Sequence, residues 1–224
     1  MFRHFETELQ DLKQLILAMG GNVEKALAEV CQALFAKDAS RLREVHSQET
    51  KVNELQIAVD QACVQLIAKQ APVAKDLRLV IAIIKINTDL ERMGDQAVNI
   101  AHCTKDLFQQ GQAPVVPTDI LTISEKVRSM VRDSLDAFVR RDVALSHEIL
   151  GRDDEIDQLK NKIVEDAVVV MRQTPAQIES CLEMIMIAKN FERLADHATN
   201  IAEEVIYLAT GDDVRHGNAG ASGV

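Results

Sequence analysis

The sequence predicts an all-α protein, built as two tandem three-helix bundles that each run up-down-up. Three observations predict it. Aromatic residues make up 3% of the 224, with no Trp and one Tyr, and there are 9 Gly and 4 Pro. That is too few for the turns and cross-strand pairs of a β-sandwich or barrel. Apolar residues, 47% of the chain, recur at spacings of three and four over long stretches, the period of an amphipathic helix. The pattern also occurs twice. Glu91-Arg-Met-Gly-Asp95-Gln-Ala-Val-Asn99-Ile-Ala101 aligns with Glu192-Arg-Leu-Ala-Asp196-His-Ala-Thr-Asn200-Ile-Ala202, with seven of eleven positions identical. The apolar residues Ile86, Leu90, Met93, Ala97 and Ile100 match Ile187, Phe191, Leu194, Ala198 and Ile201 at one offset of 101. A shared core register alone could join two unrelated helices, whereas shared polar residues indicate internal duplication.

Each element follows in order. Leu9, Leu12, Ile16, Met19, Val23, Leu27, Val30 and Leu34 define a first helix over about 5–36, with Gly20-Gly21 as a candidate kink. Asp38 is a candidate N-cap for a second helix whose inward stripe is Leu42, Val45, Val52, Leu55, Val59 and Leu66. Pro72 ends it and opens a third helix, to about Gln110. Half of the prolines fall in 111–117, which reads as the linker between repeat 1 (1–110) and repeat 2 (118–211). Thr118 caps a fourth helix, a fifth runs from Asp142 to before Thr174, and a sixth runs from Pro175 to Thr210, with Gly211 just past its end. Residues 212–224, rich in Gly and Ala, read as a disordered tail dispensable for folding. Short connections within each half make the helices antiparallel, with coiled-coil-like packing. Met171, Met184 and Met186 read as core filler, and Cys31, Cys63, Cys103 and Cys181 as buried free thiols.

With 35 acids against 25 bases, the formal net charge is −10. Such a balance argues against nucleic acid, whose binding rests on phosphate neutralisation, and against anionic lipid. The longest apolar run, Leu79 to Ile84, is far short of the ~20 residues that span a bilayer. A soluble protein is therefore expected, with no direct membrane insertion.

The chemistry lies in carboxylates four residues apart. Glu91 with Asp95, and Glu192 with Asp196, are helix neighbours whose like charges repel by about 0.2–0.5 kcal/mol per pair. Asn99 and Asn200 add a carbonyl one turn further on. Glu49, between Val45 and Val52, and Asp153, between Ile149 and Ile156, interrupt the inward stripes of the second and fifth helices, and Asn53 and Asp157 follow them at four residues. An acid in such a slot is costly unless paired or bound to a cation. Packing each half together gathers Glu49, Asn53, Glu91 and Asp95 in one cluster and Asp153, Asp157, Glu192 and Asp196 in another. Oxygen-only donors suit Mg²⁺, Mn²⁺, Ca²⁺ or iron. The bland alternative is a solvated acidic face neutralised by Arg92 or Arg193. The histidines His46, His102, His147 and His197 lack the E-x-x-H spacing of a di-iron bundle. His197, directly after Asp196, reads more readily as a surface residue than as an accessory ligand. No phosphate loop, nucleophile elbow or Cys–His signature is present.

Asp76-Leu-Arg-Leu-Val80, Asp89-Leu-Glu-Arg-Met-Gly-Asp95, the second Glu192-Arg-Leu-Ala-Asp196 and the terminal Thr210-Gly-Asp212 resemble the PhoU family over residues 1 to about 216. The resemblance implies a cytoplasmic, usually dimeric, negative regulator of the phosphate-starvation response, connecting the phosphate ABC transporter ATPase with a sensor histidine kinase. It implies metal, divalent or trivalent (iron, zinc, manganese or magnesium), at E/D-x-x-x-D motifs. By position these fall on Glu91 with Asp95, Asp153 with Asp157, and Glu192 with Asp196, and Glu49 with Asn53 is a degenerate fourth. Ala195 departs from the motif's glycine. Two readings follow: a non-catalytic adaptor, and a metal-dependent hydrolase or oxidase on a helical bundle. The first is favoured because no positioned nucleophile or base accompanies the acids.

Overall fold

The computed structural model describes residues 2–109, 116–211 and 214, so the tail and most of the linker lie outside the described residues. Among these the chain is helical, with no strand: α1 (Phe2–Ala36), α2 (Leu42–Gln70), α3 (Ala74–Gln109), α4 (Thr118–Arg140), α5 (Val143–Leu150), α6 (Asp153–Gln173) and α7 (Ile178–Thr210). Helix starts and stops follow local chemistry. The Asp38 carboxylate accepts from Ser40 N at 3.0 Å and caps a 3-10 turn that leads into α2. Asp142 accepts from Leu145 N in the same way at the start of α5. Gly211 (φ 86) closes α7 in the left-handed conformation, its N–H returning to Tyr207 O. Pro72 and Val73 bridge α2 and α3, and Thr174 with a 3-10 turn from Pro175 precedes α7, so neither proline opens an α-helix.

α1, α2 and α3 pack as one bundle, and α4, α6 and α7, with the short α5, as the other. The predicted stripes are the core. All eight stripe residues of α1 are buried, as are Ile86, Leu90, Met93, Ala97 and Ile100 of α3 and their counterparts in α7. The most extensive interface is between the two third helices, α3 and α7. It is antiparallel: Arg78 meets the end of α7 at Gly211, Lys85 reaches Glu204, and Asp89 reaches His197 and Asn200. Hence α2, α3, α7 and α6 lie side by side, with α1 and α4 packed beneath them. One apolar cluster runs through both bundles.

Three expectations need correction. The fifth helix is two, α5 and α6, divided at Gly151-Arg152, where Arg152 turns to pair with Asp133 of α4. Gly20-Gly21 does not interrupt α1. Gly20 is instead a contact glycine, since a Cβ there would lie 2.6 Å from Leu135 Cδ1 of α4, whereas nothing lies within 4 Å of one at Gly21. Met186 is not core filler: it is 46% exposed, in a stripe with Ile178 and Leu182.

Candidate functional site

The acidic residues of each repeat meet where a second helix packs on a third. In repeat 1, Gly94 of α3 admits Val52 of α2, and a Cβ on Gly94 would lie 3.3 Å from Val52 Cγ1. This close approach brings Glu49 within electrostatic reach of Glu91, with Asn53 and Asp95 one turn along their helices. Asn53 Nδ2 donates to Glu49 Oε1, which fixes that side chain. In repeat 2, Asp153 is the first residue of α6, and Asp157 lies one turn on. A helix N-terminus favours negative charge at Asp153. Glu49, Asn53, Glu91, Asp95, Asp153 and Glu192 are half-buried, and Asn99, Asp157, Asp196 and Asn200 lie exposed at the rim.

The carboxylates feel each other. Burial, and then the charge of Asp95, lifts Glu91 above the ordinary glutamate range, with Glu49 adding to it and Arg92 and His197 opposing. Burial and then Asp157, Asp154 and Glu192 raise Asp153. Burial and then Glu192, with Asp153 and Asp157, push Asp196 from 3.8 up to about 6, against the charge of His197. The second cluster is thus the more strained, as its four carboxylates imply.

Protein cations partly answer this repulsion. Arg92 Nε lies 3.5 Å from Glu91 and its Nη1 3.9 Å from Asp95. In the second cluster the cation is Lys160 of α6, whose ammonium is 3.2 Å from Asp157 and 3.6 Å from Glu192. Sequence reasoning weighed Arg92 but missed Lys160, although its place three residues after Asp157 was a signal. No ion pair was found for Arg193 among the described residues.

Asn200 does not join the second cluster. Its Nδ2 donates to Asp89 Oδ1 of α3 at 3.1 Å, and His197 Nδ1, a donor toward a carboxylate oxygen, lies 2.9 Å from the same atom. Both residues therefore staple one repeat to the other, and His197 is half-buried at 20% rather than a free surface residue. The surface reading of His197 failed because a partner on the other repeat is invisible to spacing within one helix.

The donor set fits an oxygen-seeking cation: four carboxylates in the second cluster, three carboxylates and an amide in the first, and an ammonium standing between two acids of the second. The fit requires movement. Among the described residues no three His, Cys, Asp or Glu side chains are gathered closely enough to hold an ion as they stand, and Lys160 would have to swing away.

With this geometry in view, the similarity to known proteins is specific. The PhoU domain family matches residues 16–104 and again 120–205, the two segments that carry the duplicated motif. The Phosphate-specific transport system accessory protein PhoU homolog of Pseudomonas putida is 38% identical over 214 residues, covering 96% of this chain and 84% of that protein. The Phosphate-specific transport system accessory protein PhoU of Escherichia coli K12 is 34% identical over 212 residues, covering 95% of this chain and 88% of that protein. The crystal structure of PhoU from Pseudomonas aeruginosa superposes with a TM-score of 0.90 at 36% identity, covering 93% of this chain and 100% of that one. The phosphate transport system regulatory protein PhoU from Streptococcus pneumoniae gives 0.85 at 29% identity, covering 94% and 99%. The helical fold, the repeated motif and these similarities lead to one conclusion: the chain belongs to the PhoU domain family.

Proposed function

We propose that this chain regulates phosphate uptake as a non-catalytic accessory of a phosphate ABC transporter. In this reading it connects the transporter's ATPase with a sensor histidine kinase and holds the phosphate-starvation response down. The observation that carries the first part is the match of both repeats to PhoU proteins named as accessories of phosphate transport. The kinase link and the negative sign follow from the resemblance alone. A cytoplasmic place accords with there being no described helix long and apolar enough to cross a membrane. A homodimer accords with the exposed stripe Ile178, Leu182 and Met186. The test is affinity capture of the tagged chain from phosphate-replete cells. Recovery of the transporter ATPase and the kinase supports the adaptor, and recovery of neither overturns it.

The two acid clusters are proposed as cation sites within this role. Glu91 and Asp95 with Glu49 and Asn53, and Glu192 and Asp196 with Asp153 and Asp157, would hold the ion, with Asn99 at the rim of the first. A bound cation would supply the charge that these acids now draw from Arg92 and Lys160. The observation in favour is that Glu91, Asp153 and Asp196 are all held above their ordinary range by neighbouring acids as well as by burial. Metal content after purification without chelator tests it. Stoichiometric manganese, magnesium or iron that survives Glu91→Ala, Asp95→Ala, Glu192→Ala and Asp196→Ala together refutes the assignment. Turnover of a hydrolase or oxidase type that depends on Glu91 or Asp196 would favour the enzyme reading instead.

A further inference from the structure

We propose that His46 and His102 form a cation site of their own, a two-imidazole clamp between α2 and α3 that takes a borderline divalent ion such as Zn²⁺. The two rings come from adjacent antiparallel helices, and both residues are exposed. Their centres are 5.3 Å apart and their planes are inclined by 40°. When two imidazoles share one tetrahedral ion, each nitrogen lies about 2.0–2.1 Å from the metal, which puts the ring centres about 5.2 Å apart. The ring-centre separation thus matches that of two imidazoles on one ion, whose remaining positions water would fill. Ring packing without metal reaches over the same separations, and the experiment below separates the two.

The surroundings suit the assignment. His46 lies three residues before Glu49 on α2, and His102 three after Asn99 on α3, so each ring sits on a face with an oxygen donor one turn away. Imidazole favours zinc, nickel and copper, whereas carboxylates favour magnesium and manganese. The duplication does not repeat the pair. The equivalent positions are Leu150, by the offset of 104 that relates Glu49 to Asp153, and Glu203, by the offset of 101. This pair of imidazoles thus occurs only in the repeat whose oxygen cluster has Asn53 in place of an acid. This site stands on its own geometry, whether or not the acid clusters bind metal.

The test is calorimetric titration of the full, chelator-stripped chain with Zn²⁺ and, separately, with Mn²⁺. His46→Gln and His102→Gln are expected each to weaken Zn²⁺ binding by about tenfold or more, with Mn²⁺ binding unaltered and His147→Gln indistinguishable from the parent. Zn²⁺ binding of parental strength in both variants overturns the site. A readout on the unaltered chain is the imidazole NMR signals of its 6 histidines. Zn²⁺ must shift those of His46 and His102 at the first equivalent, and a shift confined to other histidines overturns the proposal.

Discussion

Asp196→Asn probes the second acid cluster directly. The Asp196 carboxyl sits at about 6, against 3.8 for a free aspartate, so the folded state holds its proton more tightly than the unfolded chain does. Such a group favours folding below the free value, and that contribution is lost as pH rises through 4 to 6. Above pH 6, therefore, the ionised Asp196 costs stability. The displacement corresponds to a ceiling of about 3 kcal/mol, and for a rim residue that water screens, about 1–1.5 kcal/mol is the realistic share. Asparagine keeps the volume and removes the charge. In chelator-treated protein, urea denaturation at pH 7.5 should show Asp196→Asn more stable by about that amount, with the same slope, and the gain should vanish at pH 4. Added Mn²⁺ should stabilise the parent and not the variant, because binding to the folded state adds to its stability. A variant no more stable than the parent at pH 7.5, or a gain that persists at pH 4, refutes the electrostatic argument.

Three further outcomes are expected. Lys160→Met removes the ammonium that lies between Asp157 and Glu192; calorimetry should show tighter Mn²⁺ binding, and weaker or equal binding would contradict the idea that Lys160 stands in for an ion. Gly21→Ala should stabilise α1 by about 0.8–1 kcal/mol from helix propensity alone. Gly20→Ala, whose new methyl meets Leu135, should forfeit that gain to about 1–3 kcal/mol of overpacking, and Leu135→Ala in the same chain should restore it; equal stability of the two alanine variants in urea would remove the contact explanation. Phe191→Ala, which empties a fully buried position of α7, should cost about 3–5 kcal/mol, read as a lowered denaturation midpoint.

The helices were legible because burial in a bundle demands a period of three and four, and the stripes of α1, α3 and α7 obey it without exception. The acid pairs were legible for the same reason: spacing within one helix fixes which side chains are neighbours. What spacing could not reveal is the partner on another element. Arg152 breaks the fifth helix toward Asp133, Lys160 reaches Glu192 of α7 as well as its own-helix neighbour Asp157, and Gly20 is small because of Leu135, which is 115 positions away in the chain.

The antiparallel pairing of α3 and α7 gives the duplication its consequence. Two copies of one helix, packed antiparallel, place equivalent residues on the same face of the pair but on opposite sides of the seam, so the two acid clusters flank it. His197 shows this, since its charge is felt at Glu91 on one side and at Asp196 on the other. The seam itself has diverged. Asp89 holds His197 and Asn200, but at the offset of 101 its counterpart is Asn190, whose amide turns back to Met186 O at 2.7 Å. The counterpart of His197 is the buried Gln96, whose Oε1 has no hydrogen-bond partner among the described residues. A charged staple therefore exists on one side of the pseudo-symmetric seam only. Asp89→Asn should weaken it, while Asn190→Asp would place a carboxylate at a position only 3% exposed. The first change should cost less stability than the second, because the half-buried Asp89 and His197 still reach water and can be resolvated, whereas a carboxylate at the 3% exposed Asn190 position cannot. Denaturation midpoints of the two variants in the opposite order would show that the charged pair at Asp89 outweighs the burial of a lone carboxylate, and would refute this argument.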